Sequence, residues 1–575
     1  MRLIGPCSLV GALALSVLAA RPVHACGGYF PEPSPSVIEQ TGVNVLFVLD
    51  EGRVETHIQM RHDPDTDVES FAWIIPVPDV PEFAVGSEPL FTWLLGFTSP
   101  TYALEDTHEA CESANTTEDA ATTAGVTTDA GGTDTGGPGG VDVLYSDTVG
   151  AFDIVVLEAL AVEDLTDWLT ANGYAYDPEA APVFAYYLDQ GHRFAAFKMT
   201  QGADIDSIHP IALSFDSLES CIPLRLTRLS SQEDLEVRAF FLSDARVGPQ
   251  NYRHVVVNPL RVDWIARNPE ESYRQLITNA VDVTHADGRA FVTEMAGPLP
   301  YYEPGDLLSP LIDADALASV AVTDAVDVLE AQGLLNCNGE YDAVCHYFHP
   351  LIAALLGEFL PVPAGLTDYE FYSCLECHVD QIDGAAWDAQ AFADAVRERI
   401  QAPGLQAQAL LAAHPYLTRL YTIISPLEMT EDPVFVQNPD LPDVPADHRG
   451  ERHTLCHGDA VVTLPDGREL YLPEFDQWPD WGEEMPWAED VEETLPAGAF
   501  RSLADHSAEI DALLAQWNLQ HGWTGADTGA EREDEGCGCR ARGSALPPLM
   551  VTTLGGLALF GWRRRRAAAP ANRRE

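Results

Sequence analysis

The stretch SCLECHVD, residues 373–380, sets Cys374, Cys377 and His378 in the spacing Cys-x-x-Cys-His. That order can hold a c-type haem: two thiols form thioethers to the porphyrin, and the histidine ligates iron from one face. A second axial ligand is then needed, and Met429 and His414 are the nearest downstream candidates. Three acids surround Met429 in Glu428-Met429-Thr430-Glu431-Asp432, a context that predicts exposure rather than a dry haem crevice. The same thiols could instead close a disulfide, or join Cys345, His346 and His349 in a zinc site. In an oxidising compartment the disulfide is favoured, so Cys374 and Cys377 are disulfide candidates, as are Cys337 and Cys345, whose short spacing suits a local loop.

The compartment is read from the two ends. Met1-Arg2, an apolar run from Leu9 to Ala20 and Val23-His24-Ala25 form a secretory signal, with cleavage between Ala25 and Cys26. His24 departs from the small residue that a lipidation signal would have there. At the other end, Leu546 to Trp562 carries no charge and, as a helix, would reach about 26 Å, enough for a thin bilayer. Arg563 to Arg566 follow as a cytoplasmic stop. The membrane is therefore an expected partner through 546–562.

Between the ends the chain is strongly acidic. Ninety Asp and Glu stand against 31 Lys and Arg, a formal charge of −59, which repels phosphates and excludes nucleic acid as a partner. The one lysine, Lys198, lies in Phe197-Lys198-Met199 without a glycine loop, so no P-loop or kinase lysine is available. No Gly-x-Ser-x-Gly elbow occurs, and His108-Glu109-Ala110-Cys111-Glu112 lacks the second histidine of a zincin helix. The expectation is a protein that is not an enzyme, with no catalytic residue and no cofactor. The redox alternative is one haem at Cys374, Cys377 and His378.

The elements that would position these residues are read from periodicity. Val43 to Leu49 and the alternating Val54, Thr56, Ile58 and Met60 predict a hairpin, and Phe71 to Pro78 a further strand. Asp63, Asp65, Asp67 and Glu69 alternate like a calcium loop, but Val68 stands where an EF-hand needs glycine. Residues 105–140, rich in Thr, Ala, Asp and Gly, predict a disordered insertion. Helices are predicted around Leu165 to Leu169 and Ala181 to Leu188, and strands at Phe194 to Met199, Val237 to Leu242 and Val255 to Val257. Helical character then dominates: Asp313 to Leu335 is rich in Ala and Val, and Phe392, Val396 and Ile400 fall at helical spacing. The predicted class is α+β, a mixed β-sheet N-terminal domain followed by a largely helical, disulfide-containing region. The divisions are a signal peptide 1–25, the α+β domain 26–300, the helical region 301–425, a Pro- and Trp-rich and helical segment 426–535, and the tail 536–575.

Two resemblances follow. Gly536-Cys537-Gly538-Cys539-Arg540, then the apolar run and the arginines, resembles the myxobacterial C-terminal sorting signal (MYXO-CTERM). It implies export, processing near Cys537 and Cys539 by sorting and secretion machinery, and retention at the cell surface. With both address signals and no catalytic motif, the expectation is an envelope protein that binds an unidentified cell-surface component or serves as a structural module. ACGGYF, FAWIIPVPDVPEF, LFTWLLGFTSPTY and HPYLTRLYTIISPLEMTEDPVF resemble the bacterial domain-of-unknown-function 2330 family, from Cys26 to about Asp443. That resemblance implies neither a substrate nor catalytic residues.

Overall fold

A computed structural model describes residues 29–31, 40–50, 53–62, 71–109, 142–172, 180–200, 207–215, 220–266, 270–338 and 343–524. Ala25, Cys26, Cys537, Cys539, the helix expected at 546–562, the aspartates at 63–67 and most of the insertion expected at 105–140 lie outside these residues. Among the described residues no helix is long and apolar enough to cross a membrane.

The fold is α+β and is organised by one ten-stranded mixed sheet. Its strands in chain order are β1 (Gln40–Asp50), β2 (Arg53–His62), β3 (Glu82–Val85), β4 (Ile211–Phe215), β5 (Ser231–Ser243), β6 (Arg253–Val257), β7 (Ala290–Pro298), β8 (Tyr416–Ile424), β9 (Ala488–Glu493) and β10 (Arg501–Asp505). In space they run β10-β9-β6-β7-β8-β5-β1-β2-β4-β3. β1 lies parallel to β5 and β6 parallel to β7, and the other neighbours are antiparallel. The predicted hairpin is the pair β1 and β2, with Leu49 opposite Val54.

β1 is apolar almost throughout because both its faces are covered. Val43, Val45 and Phe47 enter a core shared with Trp73, Ile75, Phe152 and Phe197 of a second, five-stranded sheet. Leu46 and Val48 pack on the opposite side against the helices Glu88–Phe97 and Ala402–Ala413. The helices Val162–Ala171 and Ala181–Asp189 cover the outer face of the second sheet through Leu165, Leu169 and Phe184.

The expected divide between an N-terminal sheet and later segments gives way to interleaving. β8 is inserted between β5 and β7, and β9 and β10 complete one edge, so residues beyond 400 are integral to the sheet. Residues 314–400 do build a helical core of their own, around Leu329, Leu355, Phe371, Phe392 and Val396. Within it Asp313 to Leu335 is not one helix: two short 3-10 turns precede a single α-helix, Ala325–Ala331. Residues 105–108, placed in the insertion by composition, belong to a strand. Thr101–His108 is a strand paired in parallel with Asp447–Thr454, so cross-strand partners supply the stability that its polar side chains cannot.

Candidate functional site

The crossover from β6 to β7 places the polar groups of the site. Parallel strands need a long connection, and here it includes the helix Glu270–Val281, whose Ile277, Ala280 and Val281 pack on Val255 and Val292. His254 and Phe291, paired across β6 and β7, project to the other face, and Thr293 follows Phe291 by two residues on that same face. On the other side of β6, Glu492 of β9 stands directly opposite His254. Three adjacent strands thus line up Thr293, His254 and Glu492 in one row.

The row is hydrogen-bonded end to end. His254 Nδ1 lies 2.8 Å from Glu492 Oε2, and His254 Nε2 lies 2.9 Å from Thr293 Oγ1. Arg246, just before the short strand Val247–Pro249, donates from Nη2 to Thr293 Oγ1 at 2.9 Å and approaches His254 Nε2 at 3.3 Å. A guanidinium only donates, so Nε2 is the accepting nitrogen and Nδ1 carries the proton given to Glu492. Burial pushes the His254 imidazole below its ordinary value despite the pull of Glu492, in keeping with a neutral ring. The Phe500 ring stacks on His254 with centroids 4.4 Å apart and lies 5.0 Å from the Arg246 guanidinium.

A second set of groups comes from a bulge. The register of β7 against β8 slips between Thr293 and Met295, so Glu294 is the extra residue. Its carboxylate accepts from Arg419 Nε at 2.5 Å, and Arg419 also donates to Leu95 O, Thr98 Oγ1 and Ser99 Oγ at the end of the helix Glu88–Phe97. Burial and the facing Glu294 push the Tyr273 phenol well up, and burial does the same to Tyr102, so both stay protonated.

Arg246, His254, Thr293, Glu294 and Glu492 line one pocket of about 420 Å³, together with His448, Asp466 and Glu489, and it is walled by Tyr102, Trp264, Tyr273, Phe500 and the valines of β6. Its size and its few polar groups among apolar walls suit a small organic ligand. Two other spaces are less suited. A void of about 80 Å³ between the two sheets is lined almost wholly by apolar side chains. A cleft of about 320 Å³ holds Asp432, whose carboxylate is already engaged by Tyr187 Oη and the Arg225 N–H.

The cysteine candidates lie elsewhere, in the helical core. Cys337 and Cys345 form a disulfide that ties the paired strands Leu335–Asn336 and His346–Tyr347. Cys374 and Cys377 form another, and Cys456 is also disulfide-bonded. His378, half-buried, is 6.0 Å from the Phe371 ring and 3.3 Å from Gln381 Nε2. Neither expected axial ligand joins it. Met429 is fully buried in the sheet core, contrary to its acidic context, with Ser231 Oγ against its sulfur at 3.5 Å. His414 lies 3.7 Å from Asp50. The zinc alternative loses Cys345 to its disulfide, and His349 is buried with Nδ1 accepting from the Leu351 N–H. Among the described residues no cluster of three metal-ligating side chains occurs.

Residues 21–306 match the DUF2330 family, described as an uncharacterized protein conserved in bacteria. The match covers just under half of the chain and ends beyond β7, so it includes β1 to β7, the crossover helix and Arg246, His254, Thr293 and Glu294. Glu492 and Arg419, which complete the two polar sets, come from outside the DUF2330 match. No curated protein matches the chain. No solved structure matches it either.

Sequence reading passed over Arg246, His254, Thr293 and Glu492. The only local signal was a histidine at an inward position of the strand RHVVV, and its partners stand about 40 and 240 residues away.

Proposed function

We propose that this chain is an exported envelope protein of the DUF2330 family, anchored at the cell surface, that works by binding and not by catalysis, with its ligand in the 420 Å³ pocket. The observation that carries the binding reading is the pocket itself, where a preformed polar row and Glu294, held from behind by Arg419, face aromatic and valine walls. Export and anchoring rest on the signal ending at Ala25, the Gly-Cys motif at Cys537 and Cys539, the apolar run 546–562 and Arg563 to Arg566. Cell fractionation with intact-mass measurement tests this part: an exported form cut after Ala25 is expected, and a full-length cytosolic chain with reduced thiols would refute it. Thermal-shift screening of small ligands against the purified protein tests the pocket.

The row Thr293-His254-Glu492 also has the connectivity of a nucleophile, base and orienting acid. Arg246 argues against that use. It donates to the Thr293 oxygen and draws electron density from the atom that would attack. A fluorophosphonate probe is therefore expected to leave Thr293 unlabelled, and labelling there would replace the binding reading with an acyl-transfer one. The redox alternative, a single haem c on Cys374, Cys377 and His378, predicts a Soret band; a colourless protein with that cysteine pair oxidised is expected.

A further inference from the structure

Arg246 and Arg419 are the arginines buried among the described residues, both about 3% exposed, and they are neutralised differently. Arg419 has the Glu294 carboxylate at 2.5 Å. Arg246 has no carboxylate within ion-pair distance: its partners are Pro442 O, Thr293 Oγ1 and His254 Nε2, all uncharged, and its Nε has none. A charge removed from water normally keeps a counter-charge, because an unpaired one costs several kcal/mol. Glu492 and Asp443 act on Arg246 through space without touching it, and the Glu492 carboxylate is hydrogen-bonded to His254 Nδ1. Burial lowers the Arg246 pKa to about 10, which leaves the guanidinium charged at neutral pH.

The side chain is held ready. The Asn438 N–H donates to the Arg246 carbonyl, the next residue's N–H donates to Thr418 Oγ1, and the guanidinium lies against Phe500 at the wall of the pocket. We propose that the carboxylate missing from direct contact with Arg246 belongs to the ligand: the pocket takes a small organic carboxylate whose anionic end meets Arg246 and whose apolar or aromatic body lies against Trp264, Tyr102 and the β6 valines. This deepens the binding reading and rests on it. A singly charged carboxylate is favoured over inorganic phosphate because most of the remaining wall is apolar and would contact a hydrocarbon body, while Glu294, Asp466, Glu489 and Glu492 on the same wall repel a more highly charged, fully hydrated anion.

The test is calorimetric titration of the full-length protein with phenylacetate, its neutral isostere phenylacetamide, the cationic phenethylamine and inorganic phosphate, on the native chain and on Arg246→Met. Phenylacetate is expected to bind at least tenfold more tightly than phenylacetamide or phosphate, and Arg246→Met to remove that preference. A merely structural arginine would lower the melting temperature when replaced. Here the ligand-free Arg246→Met protein is expected to melt no lower than the native one, since the variant removes a buried charge with no carboxylate in contact. If Arg246→Met does not fold, the acid-to-amide ratio on the native chain decides alone. Binding of phenylacetamide or phenethylamine as tight as that of phenylacetate overturns the carboxylate assignment and leaves the pocket as a binding site. Phosphate binding as tight as phenylacetate overturns the organic-acid assignment. No binding by any of the four overturns both.

Discussion

At the scale of single residues, buried charge is the most informative quantity. Glu294 and Arg419 satisfy each other in a site that water hardly reaches, with side chains 1% and 3% exposed. Glu294→Ala would strand the guanidinium, and the expected cost is about 3–5 kcal/mol, read from urea unfolding. A cost under about 1 kcal/mol would mean that solvent reaches the pair. Two histidines make a second prediction. Burial pushes His209 and His349 down to about 4 from an ordinary 6.5. Above pH 6.5 neither state takes a proton. Between 6.5 and 4 the unfolded chain is protonated while the folded one resists, so stability is lost as pH falls, by roughly 1.4 kcal/mol per pH unit for each ring. Asp432 and Glu88, which burial raises, act in the opposite sense at acid pH. The slope contributed by one ring is therefore read by difference: His209→Asn is expected to flatten the fall between pH 6.5 and 4, and an unchanged slope would show that the ring titrates normally.

At the scale of elements, the disulfide Cys337–Cys345 does what two-residue strands cannot do for themselves. Leu335–Asn336 and His346–Tyr347 are too short to persist as a hairpin in water, yet they close one side of the helical core. For so short a loop the chain-entropy estimate is about 2–3 kcal/mol. Replacing both cysteines with serine is expected to cost that much, with hydrogen exchange accelerating in residues 325–360 and not in β5 or β8. Acceleration spread evenly over the sheet would show that the helical core and the sheet open as one unit. The helices and strands legible in the sequence were those whose own periodicity is strong, such as β1, β2 and the helix after Asp388. Asp313 to Leu335 misled because its Ala content and lack of glycine before Gly333 suggest one helix, while the packed core there holds two 3-10 turns and only the short helix Ala325–Ala331.

At the scale of the whole molecule, charge is the dominant feature. With a formal −59, like-charge repulsion opposes compaction at low ionic strength, where the screening length is about 30 Å at 0.01 M, and weakens when it shrinks to about 8 Å at 0.15 M. The melting temperature is expected to rise by several degrees over that range and then to level off. A fall with added salt would mean that ion pairs such as Arg468 with Glu489 and Asp511 outweigh the repulsion.

Composition and local pattern determined the acidic surface, the absence of a lysine-based phosphate site, the α+β class and the first hairpin, because each depends on residues that are neighbours in the chain. The short Cys337 to Cys345 spacing belongs with these. Only the tertiary structure decided which acids meet which cations. The row of Thr293, His254 and Glu492 exists because β9 pairs beside β6, and Glu294 reaches Arg419 because a bulge turns it there. Met429 shows the same limit, since its acidic neighbours marked it as exposed and the fold buries it completely. Side chains brought together by strand order leave no periodic trace in sequence, and burial of a charge is a property of the packed whole.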